Sequence, residues 1–173
     1  MTLSNSDRFD SGAFPVSGAA DVLGAENQYL LLKSADVHFV LPILSVREIL
    51  EPPVVTRVPM APAWFLGLAN LRGQILPVID LIGRLNIERR QPAQRPVLVV
   101  VDVVMRQGTF QRGLLVDSLG GIVHAGKDEV KDYDGVGTVI AREYVTGLLP
   151  YPPGFAILPD LEKVFAAVQE LTA

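Results

Sequence analysis

The sequence contains no cysteine, which excludes a disulfide framework, a thiolate nucleophile and any cysteine-ligated metal. Histidine is almost as scarce. His38 and His124 are the only two; they stand far apart with no carboxylate at ligand spacing, so neither a metal centre nor a Ser-His-Asp arrangement is indicated. No cofactor is expected. Aromatic residues make up 7% of the 173 residues. The most apolar window, PVLVVVDVVM at 96–105, is interrupted by Asp102 and is far short of the ~20 residues that span a bilayer, so no direct membrane insertion is expected. A net charge of −4 gives no basic footprint for nucleic acid or anionic lipid. The first residues show neither a basic start nor an apolar stretch with a cleavage site, so the chain reads as cytoplasmic.

What is present is ordinary globular composition, 49% hydrophobic and 20% charged, enough to bury about two thirds of the unfolded surface. Residues 1–27 are rich in Ser, Gly, Ala and Asp without sustained period and read as a flexible extension. From Tyr29, YLLLKSADVHFVL gives two apolar segments around Lys33-Ser34-Ala35-Asp36, a hairpin signal. Pro42 opens PILSVREIL, where Ile43, Val46 and Ile49 recur at helical spacing and predict up to two turns of helix. The stretch VVTRV lies between prolines and allows only a short strand. AWFLGLANLRG reads as a loop with a helical turn. QILPVIDL reads as a strand whose Pro77 requires an edge, a bulge or an unpaired side.

The polar run at 86–95 reads as a surface connection between two strand-rich halves. PVLVVVDVVM and QRGLLVDSLGGIV form a second hairpin across Arg106-Gln107-Gly108-Thr109. The segment 126–134 is a solvated loop, and an amphipathic helix begins near Asp160, which caps it. Short strands with turns every 8 to 12 residues describe an all-β fold with a few short helices. Two small barrels sharing one core is the natural arrangement.

The remaining chemistry is sparse. Asp117 in LLVDSLGG superficially suits an aspartic protease, but Leu119 replaces the small glycine that the tight catalytic turn needs, and no second motif occurs. Gly120 and Gly121 precede neither Lys-Ser/Thr nor a helix and form no phosphate cradle. Two charges stand out: Glu48 and Arg72, each at the junction of an apolar segment and a turn. If they meet, they form a partly buried bidentate pair that orients more than it stabilises; spacing alone leaves two unrelated surface charges as the other reading.

The runs LSVREILEPPVVTRVP, AWFLGLANLRGQILPVIDL, GLLVDSLGGIV and EYVTGLL resemble, in that order and over residues 28 to about 168, the CheW-like chemotaxis coupling proteins. The core NLRG-x-x-x-PVIDL is shared with the regulatory domain of chemotaxis histidine kinases. The resemblance implies two SH3-like five-stranded β-barrel subdomains around a common hydrophobic core, within a CheW-like domain over 28–170. It also implies a non-catalytic adaptor that ties the cytoplasmic tips of chemoreceptors to a CheA-like histidine kinase regulatory domain. By motif, Glu48 and Arg72 take the partner-facing role, with Val46, Gly67, Asn70 and Gly73 close by. The N-terminal extension, Pro42 and Pro159 depart from the commonest pattern and point toward a pilus or gliding array rather than a flagellar one. A barrel-mouth small-molecule sensor is the alternative, and it would need convergent polar groups where the inward positions are mostly Val, Leu and Ile.

Overall fold

The computed structural model describes residues 24–135 and 139–172, together with the backbone of 14–15. Most of the segment expected to be a flexible extension therefore lies outside the described residues. Its described parts are a two-residue strand, β1 (Phe14–Pro15), and a 3-10 turn at Ala25–Asn27.

The remaining strands are β2 (Gln28–Ser34), β3 (Val37–Pro42), β4 (Val46–Leu50), β5 (Val55–Thr56), β6 (Phe65–Leu71), β7 (Gln74–Asp80), β8 (Val97–Met105), β9 (Gly108–Val116), β10 (Ser118–His124), β11 (Val145–Tyr151) and β12 (Gly154–Pro159). Two helices, α1 (Leu81–Arg84) and α2 (Leu161–Thr172), complete the set. Asp160 caps α2 as expected, its Oδ1 accepting from the Lys163 amide at 3.0 Å. The strands form two sheets, ordered β1-β4-β8-β9-β7-β6-β5 and β10-β2-β3-β12-β11.

Three clusters of buried side chains explain why several strands are continuously apolar. Leu30, Leu32, Phe39 and Leu41 from the second sheet pack with Val99, Val101, Leu114 and Val116 from the first, and Val164, Phe165 and Val168 of α2 join them. Tyr29, Leu31, Val40, Leu149 and Leu158 fill a cluster private to the second sheet. Ala69, Leu76, Val78, Leu98 and Val100 fill one private to the first. Successive strand residues point to opposite faces, so in YLLL and VLVVV alternate side chains enter the shared core and a private one. Both faces are covered, and the polar half of the usual alternation disappears. Each fully buried side chain of this size contributes about 1.5–3 kcal/mol. The result is two SH3-like barrels on a common core.

The expected helix after Pro42 is only a 3-10 turn at Ile43–Ser45, and Val46–Leu50 is strand. The ladder from β4 to β8 shifts register between Val46 and Glu48. That bulge turns Val46 and Ile49 toward the same shared core, which reproduces in a strand the three-residue spacing of a helix. The expected loop at AWFLGLANLRG is strand β6. Its buried positions are Phe65, Gly67 and Ala69, and two small residues conceal the two-residue period. Pro77 sits in β7, an interior strand. The parallel ladder to β9 starts at Val78, one residue later, so the missing amide falls at a ladder's end. β10 is a separate strand on β2 rather than an extension of the β8–β9 hairpin.

The connection at 86–95 does not separate the sheets, since β7 and β8 on either side belong to the same one. From β2 onward the chain crosses at 43–45 and again at Asp117, so β2 and β3 of the second sheet precede, and its last three strands follow, β4 to β9 of the first; β1 of the first sheet alone comes earlier.

Candidate functional site

The hairpin of β6 and β7 closes through Arg72 and Gly73, with Leu71 opposite Gln74. Both turn residues have positive φ, 51° and 83°, as a two-residue turn matched to the twist of its strands requires. Glycine holds the second place without strain. Asn70 locks the first, its Oδ1 accepting from the Gly73 amide at 2.8 Å. The motif Asn-Leu-Arg-Gly is thus a turn that fixes where one arginine points.

Arg72 points at Glu48. Its Nη1 donates to Oε1 at 3.1 Å and its Nη2 to Oε2 at 2.9 Å, the parallel fork that only a guanidinium offers a carboxylate. The two ends are unequally placed. Glu48 is buried, 8% exposed, whereas the Arg72 side chain is 69% exposed. A buried carboxylate therefore anchors a guanidinium that remains largely in solvent at the tip of the hairpin.

The other expected site residues divide around this pair. Asn70 and Gly73 are exposed at the same tip. Val46 lies two residues before Glu48 and is buried in the shared core. Gly67 is buried within β6, and a Cβ there would stand 2.1 Å from the Thr56 carbonyl oxygen. It permits β5 to lie against β6. Glu48, Asn70, Arg72 and Gly73 thus converge, while Val46 and Gly67 hold their strands from beneath.

A second ionic cluster was not visible in the sequence. Arg89, from the 86–95 connection, reaches Asp117 Oδ1 at 2.5 Å and Asp80 Oδ1 at 3.3 Å. Asp117 Oδ2 also accepts from the Ala35 amide at 2.8 Å, and the Asp117 amide meets Ser34 Oγ at 3.2 Å. Asp117 is engaged in fixing the chain where it crosses between sheets. Burial raises the pKa of Asp80, and the adjacent Arg89 opposes that shift.

Arg84 makes a third junction. Its guanidinium lies 4.7 Å from the Trp64 ring and 4.5 Å from that of Tyr144, and its Nε donates to the Val164 carbonyl at 2.8 Å. It therefore pins α2 across both halves. Its single sequence signal, a cation ending a short helix, is too common to single out.

His38 packs against Tyr151 with ring centroids 5.0 Å apart. Among the described residues, no group of three His, Asp or Glu side chains is placed to hold a metal. Likewise, no described helix is long and apolar enough to cross a membrane.

Comparison with known proteins adds to this geometry. The model of the family described as CheW-like domain matches residues 28–169. The probable chemotaxis protein CheW of Rhizobium etli is 30% identical over 148 residues, covering 86% of this chain and 93% of that protein. Protein PilI of Pseudomonas aeruginosa is 40% identical over 89 residues, 50% of this chain and 46% of that one. Among solved structures, the scaffolding protein TtCheW of Thermoanaerobacter tengcongensis superposes with a TM-score of 0.72 at 25% identity, covering 81% of this chain and 92% of that one.

Proposed function

This chain belongs to the family of CheW-like domains, the coupling adaptors of chemotaxis-type signalling, and from that premise we propose that it joins chemoreceptor cytoplasmic tips to the regulatory domain of a CheA-like histidine kinase in the cytoplasm, with no reaction of its own. The observation that carries this reading is the Arg72–Glu48 fork. Its carboxylate is buried, its guanidinium faces outward, and its hairpin is locked by Asn70 and Gly73.

Such a device presents a cation in one fixed direction. An interface uses that kind of group to set register and partner choice more than raw affinity. Coupling then requires only that one partner's conformational change alter its contacts with the adaptor and, through them, the second partner's equilibrium. The packing of both barrel interiors with apolar side chains favours this reading over a sensor that holds a small molecule in a barrel mouth.

The test is retention of the purified chain on an immobilised kinase regulatory domain and on a receptor cytoplasmic tip. The wild type is expected to bind both. Arg72→Glu is expected to lose at least one while its circular dichroism stays that of the wild type; retention of both partners by the variant refutes the assigned role of Arg72.

A further inference from the structure

Beside the β6–β7 hairpin, the starts of β7 and β9 border a half-open cavity of about 310 Å³ whose lining includes Leu71, Ile75, Leu76, Phe110 and Arg112. Arg112 is the unusual member. It is only 8% exposed, yet none of the described carboxylates pairs with it. Its Nη1 donates to the neighbouring Gln111 carbonyl at 3.0 Å, and its Nε has no hydrogen-bond partner. The guanidinium lies 5.0 Å from the Phe110 ring, which holds its plane but supplies no counter-charge. Burial lowers its pKa, as expected for a cation that has lost water and gained no anion.

Two carboxylates of the adjoining strands β4 and β8 are already taken. Glu48 is held by Arg72 and Asp102 stands 3.7 Å from Arg47, so these pairs cancel and the charge of Arg112 remains. A buried, unpaired guanidinium is costly unless something else neutralises it. The walls indicate what that is. The walls are mixed, with Gln74, Thr109 and Gln111 beside Leu71, Ile75, Leu76 and Phe110, so the methylenes of an acidic side chain would gain apolar contact there that a small hydrated anion would not. Ile75, 64% exposed, leaves apolar surface at the rim for such a stem.

We propose that this cavity receives the carboxylate of an acidic side chain, a glutamate by its length, presented by a partner protein, with Arg112 as its counter-ion. Only Nη1 is engaged, on the Gln111 carbonyl, so the guanidinium keeps further donors for a carboxylate's two oxygens. The site lies next to the Arg72 turn through Leu71 and Gln74, so one partner could engage both. The inference rests on the adaptor reading for its partner and on the cavity alone for its chemistry.

The test separates the two. In the full chain labelled with nitrogen-15, the Arg112 Nε–Hε resonance is assigned by its absence in Arg112→Met and followed while N-acetyl-glutamate N-methylamide, its glutamine counterpart or inorganic phosphate is added. The expected result is a saturable shift with the glutamate and none with the glutamine. Saturation by phosphate at equal or lower concentration overturns the proposal in favour of a free-anion site, and no saturable shift overturns it outright.

Arg112→Met is also expected to bind the kinase regulatory domain or the receptor tip about tenfold more weakly, with Arg112→Lys recovering part of the loss and the melting temperature unchanged or raised. Undiminished binding of both partners by Arg112→Met overturns the proposal and leaves the adaptor reading intact. Failure of the wild type to bind either partner overturns the adaptor reading, and with it this site's assignment to a protein partner.

Discussion

Arg72 and Arg89 each engage carboxylates through both terminal nitrogens, yet the first side chain is 69% exposed and the second 24%. Arg72 holds one buried acid and turns its own charge outward. Arg89 holds two partly buried acids and is enclosed by them at the point where the chain changes sheets. The same group therefore serves two purposes, and burial decides which. An enclosed guanidinium fixes the chain, whereas one left largely in water, held from one side by Glu48 at the tip of a hairpin, is available to something else.

The contrast can be broken most directly at Arg89. Arg89→Met leaves Asp80 and Asp117 facing each other without a cation, and is expected to lower stability by about 3 kcal/mol, read from guanidinium unfolding, with partner affinity unchanged in what remains folded. A loss below 1 kcal/mol would put the two arginines in one class. A smaller effect is expected at the hairpin. A double-mutant cycle of Glu48→Gln and Arg72→Met is expected to give a coupling energy of about 1 kcal/mol or less, since the arginine end is solvated. A coupling as large as the Arg89 effect would make the Arg72 pair structural.

The smallest effect sharpens the comparison through pH. Burial raises the pKa of Asp80 above the ordinary 3.8, with Arg89 opposing. The folded state therefore holds that proton more tightly than the unfolded chain. The contribution of Asp80 to stability falls as pH rises from the unfolded carboxyl value through the folded one, and is constant above it. Asp80→Asn should flatten that part of a melting-temperature profile taken from acid to neutrality; an unchanged slope assigns the pH dependence elsewhere.

Much of this architecture was legible in the sequence where one interaction dominated. The β2–β3 turn, the Asp160 cap and the Asn-Leu-Arg-Gly turn each depend on residues adjacent in the chain. Glu48 and Arg72 could be paired only conditionally, because nothing local brings positions 24 apart together. The failures have a common cause. In Val46–Leu50 a bulge imposed a helical spacing on a strand, and in Phe65–Leu71 glycine and alanine occupied the buried places, so periodicity misled where the sheet was irregular or the side chains small. Arg84, Arg89 and Arg112 were missed because each acts through partners from distant segments or through the absence of one.

The order of the strands has a consequence for synthesis. A ribosome releases β2 and β3 before β4 to β9, but β10, β11 and β12, which complete the sheet of β2 and β3, emerge after them. The whole first barrel can emerge while the opening hairpin still exposes Leu30, Leu32, Phe39 and Leu41 to solvent. Closure of that sheet must therefore wait for β10 to β12 and is slow relative to a fold of local contacts, and a nascent chain stalled before residue 118 would be a sticky, half-finished object suited to chaperone capture.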